Sequence, residues 1–106
     1  MRRGDVVVAV TSGAYGKPRP YVVVQSDLFR PPSLTLVPLT STLEDITGVR
    51  PRLEPSASNG LHQTSLAMCD KVQTVPVGKV DQVIGRLDDD AMRRIGAALA
   101  LFLGIA

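Results

Sequence analysis

With 106 residues, 44% of them hydrophobic, the chain can build one compact core but not two, so a single domain over 1–106 is expected. One cysteine and one histidine exclude an intrachain disulfide and the usual zinc ligand sets, and no apolar run approaches the ~20 residues that span a bilayer. The formal charge is only +2, but residues 1–52 hold seven Lys/Arg against four acids while the remainder holds five against six, so the basic excess sits in the first half, where a polyanionic partner would be met.

Trp is absent and aromatics make up 4%, so the core must come from Val, Leu, Ile, Ala and Met, and aromatic base-stacking platforms are disfavoured. No secretory leader pattern opens the sequence, which gives a cytoplasmic expectation with no membrane partner. Val6–Val10 is an unbroken β-branched run and reads as a strand buried on both faces. Thr11–Lys17, with Tyr15 and two glycines, reads as a loop. Pro18 and Pro20 each fix φ and steer the residue before them to extended geometry, so Arg19 leaves a stiffened segment just ahead of a second strand, Tyr21–Gln25. A guanidinium held there suits an anion; a plain loop cation at a strand entrance is the competing reading.

Asp27–Arg30 reads as a single turn and Pro31-Pro32 as a break before a third strand, Ser33–Leu39. Thr40-Ser41-Thr42 opens a polar loop whose hydroxyls serve equally as turn chemistry. Val49–Leu53, interrupted by Pro51, reads as an edge strand, and Asn59-Gly60 as a turn. Thr64–Val75 reads as a strand bent at Asp70-Lys71, with Cys69 as core filling, and Asp81–Leu87 as a last short strand. Asp88-Asp89-Asp90 marks a helix start. Met92, Ile95, Leu99, Phe102 and Leu103 then fall on one apolar stripe of a helix over Asp89–Leu103, closed by Gly104-Ile105. The fold class is thus mainly β with a C-terminal α-helix.

Arg3-Gly4-Asp5-Val6, Arg19-Pro20 followed by Val22 to Asp27, Pro38-Leu39-Thr40-Ser41, Asn59-Gly60-Leu61, Ser65 to Lys71 and Ile84-Gly85-Arg86-Leu87 form an ordered set that resembles the MazF/PemK (Kid) family of toxins from bacterial toxin–antitoxin pairs. The resemblance implies an SH3-like small barrel of the MazF/PemK/CcdB type, a homodimer, metal- and cofactor-independent cleavage of single-stranded RNA, and a cognate antitoxin. By the same resemblance Arg19 matches a catalytic arginine, Thr40 an active-site threonine and Asp70 an acid used as base in one branch. Where that branch has an arginine proposed as general acid, this chain has Met68.

Stated as chemistry, such cleavage needs a base for the 2′-hydroxyl, a proton for the leaving 5′-oxygen and charge to hold the phosphorane. Arg19 supplies charge and Thr40 a hydroxyl; Asp70 qualifies as base if burial raises its pKa, and otherwise reads as an anchor for an arginine or the backbone. Lys17, Gln25, Ser41 and Tyr15 are the substrate-binding candidates. His62, close behind a turn, is not assigned to catalysis. A CcdB-like gyrase poison acting through the helix end, with Phe102-Leu103-Gly104-Ile105 as its tail, and a non-catalytic binding module of the same fold are the alternatives. The concentration of Lys17, Arg19, Arg30, Arg50 and Arg52 predicts an acidic, disordered segment on the antitoxin.

Overall fold

A computed structural model describes residues 1–11 and 17–106. Its strands are β1 (Asp5–Ala9), β2 (Arg19–Val23), β3 (Ser33–Thr40), β4 (Arg52–Leu53), β5 (Ser65–Ala67), β6 (Gln73–Pro76) and β7 (Val80–Arg86), followed by one helix, α1 (Asp89–Phe102). They form a seven-stranded sheet in the order β4-β5-β3-β2-β1-β7, with β6 also paired to β3, and every pairing is antiparallel.

The β-branched runs occupy the middle of the sheet because both of their faces are covered. Val6, Val22, Val37 and Leu39 point toward α1 and join Leu53, Ala67, Cys69, Leu87 and Ile95 in one core. The alternate residues Val7, Ala9, Tyr21, Val23, Leu34 and Leu36 pack on the other face with Val75 of β6. Successive strand residues point to opposite faces, so a run with no polar alternation needs both sides buried.

Several boundaries differ from the sequence reading. β2 begins at Arg19, with Arg19 opposite Ala9 and Pro20 opposite Val8, because a proline at the start of a strand gives up one donor but already holds extended φ. The expected strand Thr64–Val75 is three pieces. After β5 the chain enters a 3-10 turn, Cys69–Lys71, in which Lys71 N–H bonds the Met68 carbonyl, and rejoins β3 as β6. The eight-residue β3 therefore pairs with β5 at Leu39–Thr40 and with β6 at Ser33–Leu36, and Cys69 fills the core from the intervening turn. Val49–Leu53 contracts to Arg52–Leu53 at the end of the sheet, since Pro51 contributes only its carbonyl, to Ala67 N–H.

In α1, Asp88 Oδ1 caps the helix by accepting from Ala91 N–H at 2.8 Å, and Asp90 pairs with Arg93 and Arg94 one turn on. At the other end Gly104 N–H bonds the Leu101 carbonyl and Ile105 N–H the Ala100 carbonyl, the paired bonds of a Schellman stop. The buried stripe is Ala91, Ile95 and Ala98, flanked by Met92 and Leu99. Phe102 and Leu103, expected on that stripe, are about half exposed, at 47% and 55%, because they lie a turn beyond Ala98, the last buried position. No described helix is long and apolar enough to cross a membrane.

Candidate active site

β2 and β3 carry the site in their register. Tyr21 opposite Pro38 is the last pair of the β2–β3 ladder, and Arg19 and Thr40, each two residues beyond it, both line the space where the two strands end. The third wall comes from the start of β5, which Thr40 reaches by pairing with Leu66. Together they enclose an open groove of about 430 Å³ lined by Lys17, Arg19, Thr40, Ser41, His62 and Gln63, with Leu39 and Leu61 at its floor.

Each wall is fixed locally. Thr42 N–H donates to Thr40 Oγ1 at 3.1 Å, so the threonine oxygen is used as an acceptor while its own proton stays available for donation into the groove. Arg19 makes no ion pair among the described residues, and its exposed guanidinium faces the groove with its charge uncancelled. The His62 wall is held by Asn59, which is 5% exposed. Its Oδ1 accepts from Ser56 N–H and Leu61 N–H, both at 3.0 Å, and its Nδ2 donates to the Glu54 carbonyl at 2.9 Å. Gly60 adopts φ +71° with the Ile84 backbone where a Cβ would stand, and Gly85 of β7 has the backbone of Asn59 and Gly60 in the same position. Thr64 Oγ1 closes the loop onto Glu54 at 2.6 Å.

Lys17, Arg19, Thr40 and Ser41 therefore come together. Two other sequence candidates, Asp70 and Gln25, do not join them. Asp70 is gripped by Arg50 through two parallel bonds of 2.8 Å, Nε to Oδ1 and Nη2 to Oδ2, with the side chains only 16% and 12% exposed. These bonds outweigh burial and hold the Asp70 carboxyl below its ordinary range, with the Arg50 guanidinium raised for the same reason. The condition attached to Asp70 as a base, a pKa raised by burial, runs the opposite way. Gln25 lines a separate depression of about 150 Å³ with Met1, Phe29 and Arg30; its Oε1 accepts from Thr35 N–H at 2.8 Å and its amide reaches the Phe29 carbonyl. Its job there is to tie β2's exit to β3. Tyr15 lies outside the described residues.

The groove also takes in His62, which sequence reasoning weighed and left unassigned, and Gln63, which it did not single out. The Asn59-Gly60 turn was the available signal, since a turn that ends at a strand pairing with Thr40 delivers its next residues to the same place. Among the described residues no three His, Cys, Asp or Glu side chains gather as a metal-binding group.

The sequence profile of the family described as PemK-like, MazF-like toxin of type II toxin-antitoxin system matches residues 2–103. The chain belongs to this family. Among curated relatives, the probable endoribonuclease MazF of Mycolicibacterium smegmatis is 45% identical over 108 aligned residues, covering 100% of this chain and 99% of the relative. Endoribonuclease MazF3 of Mycobacterium tuberculosis is 34% identical over 73 residues, 67% of this chain and 68% of that one. In fold, the chain superposes with a TM-score of 0.85 at 21% identity on an endoribonuclease solved in complex with its cognate antitoxin from a mycobacterial species, covering 100% of this chain and 97% of that one. The family match and the endoribonuclease names of these relatives favour the RNA-cleaving reading over the gyrase-poison alternative read from the helix end.

Proposed function

We propose that this MazF-family chain is an endoribonuclease toxin, a single domain that cuts single-stranded RNA in the cytoplasm without a metal or cofactor and so arrests translation and growth. The observation that carries the reading is that Arg19, Thr40, Lys17 and Ser41 line one open groove. The names of the relatives support the same activity.

In the reaction the 2′-hydroxyl attacks its own 3′-phosphate. Negative charge then spreads over the equatorial oxygens of a phosphorane, and Arg19 offers two parallel N–H donors to two of them. Thr40, its oxygen oriented by Thr42 N–H, donates to a third position on the phosphate, with Lys17 and Ser41 binding neighbouring phosphates. Asp70 takes no part and serves as the carboxylate that seats Arg50. A groove open to solvent accepts a strand with no partner strand, and a homodimer brings the loops after β3 of two subunits around one RNA.

Incubation of the purified protein with a long single-stranded RNA in EDTA is expected to give fragments ending in 2′,3′-cyclic phosphate or 3′-phosphate. Intact RNA under these conditions removes the nuclease reading. The inhibitor expected is an acidic, extended segment of an antitoxin that lies in the same basic groove, consistent with the antitoxin complex formed by the structural neighbour.

A further inference from the structure

We propose that His62 is the general acid of the cleavage, giving its proton to the 5′-oxygen as that oxygen leaves. The proposal rests on the nuclease reading of the groove and adds a residue to it. Met68 has no proton to give. Among the described side chains that line the groove, Lys17, Arg19 and His62 are the cationic candidates, with Thr40, Ser41, Thr42 and Ser65 as hydroxyls. A guanidinium and an ammonium both hold their protons far more tightly than an imidazolium does, and an alcohol is a poor acid toward an alkoxide of similar basicity. Imidazole is the side-chain type that gives and regains a proton near neutral pH.

The position of His62 is as pertinent as its chemistry. It is exposed to the groove, yet the backbone on either side is anchored, by buried Leu61 before it and by the Thr64–Glu54 bond and buried Ser65 after it. The Asn59 bonds and the Gly60–Gly85 contact fix the turn that precedes it. With the backbone so constrained, His62 lines the space shared with Arg19 and Thr40. A general acid must lie within hydrogen-bond reach of the atom it protonates, and an anchored backbone supplies that without ordering on binding.

In the step, the 2′-oxygen forms a bond to phosphorus and the P–O5′ bond breaks, its electron pair going to O5′. The proton of the 2′-hydroxyl passes to solvent water. O5′ takes the proton from the His62 imidazolium, which is left neutral and is reprotonated by solvent. Lys17 and Arg19, the charged side chains that share the groove, remain cationic and hold the phosphate.

The test uses two RNAs, one ordinary and one with sulfur in place of the bridging 5′-oxygen at the cut site, because a thiolate leaves without being protonated. His62→Ala and His62→Gln are expected to slow cleavage of the ordinary RNA by at least ~10²-fold and to match the wild type on the sulfur RNA. Arg19→Ala is expected to be slow on both. His62 variants equally slow on both RNAs, or at wild-type rate on the ordinary one, overturn the proposal while leaving the nuclease reading standing. A wild-type protein that cuts neither RNA overturns both.

Discussion

Arg50 and Asp70 face each other fork to fork, with both guanidinium-to-carboxylate bonds at 2.8 Å, and they join the strand-entry loop before β4 to the 3-10 turn beside the core. Removing one partner strands a mostly buried charge. Arg50→Ala is expected to destabilise the fold by about 2 kcal/mol, below the usual figure for a buried pair because both groups retain some solvent contact. Asp70→Asn should lose stability too, yet cut RNA within a few-fold of the wild-type rate; a drop of ~10² or more would restore Asp70 to the chemistry. Urea midpoints and cleavage rates measured on the same preparations separate the two outcomes.

The depressed Asp70 pKa gives the pair a pH signature. Its contribution is complete above the unfolded carboxylate value of about 4 and is lost as pH falls through the lower folded value. The stability gap between wild type and Asp70→Asn should therefore be constant from neutral pH down to about 4 and close only in stronger acid. A gap that closes near pH 6 would assign the effect to another group.

Arg19→Ala should reduce the cleavage rate by ~10²-fold or more, the scale of one preorganised donor. Arg19→Lys should recover little, since a point charge cannot make two parallel bonds. Thr40→Val should also slow the reaction and Thr40→Ser should recover part of it. Because Arg19 is exposed and Thr40 only half-buried, all four should melt close to the wild-type temperature. Wild-type rates in Arg19→Ala would remove it from the mechanism.

Gly85→Ala places a methyl group against the backbone of Asn59 and is expected to cost about 1–3 kcal/mol, the range for overpacking a tight contact. Gly78→Ala meets nothing within 4 Å and should stay within about 0.5 kcal/mol of wild type. Equal stability of the two variants would mean that the loop before His62 is not clamped to β7.

Much of this fold was legible in the sequence because its signals are local. The valine run of β1, the prolines before β2, the three aspartates ahead of α1 and the Gly104 stop each name their structure within a few residues. The same holds for Arg19 and Thr40, which sit at strand ends that prolines and hydroxyls mark. Asp70 was ambiguous because its partner is twenty residues away, and nothing near it in sequence tells a base from an anchor. Gln25 was misplaced because its amide completes the ladder between β2's exit and Thr35, a tertiary bond. The place of His62 in the groove was not legible for the same reason, since its wall is set by Gly60 meeting Ile84 in the strand of residues 80–86. Helix periodicity favoured large side chains, so it found Ile95 and missed Ala91 and Ala98, whose smallness lets α1 lie close to the sheet.

Cys69 sits where the helix meets the sheet, fully buried, its thiol directed at the Ile95 carbonyl and pushed up to about 11 by burial. With no tryptophan in the chain, this sulfur is a built-in reporter of the seam. A disulfide reagent at pH 8 should leave the native protein unlabelled and react only when α1 lifts away, because attack requires both access and thiolate. Labelling rates followed across denaturant would then time the opening of that seam alone, and comparison with the global unfolding rate would tell whether the helix departs with the sheet or ahead of it.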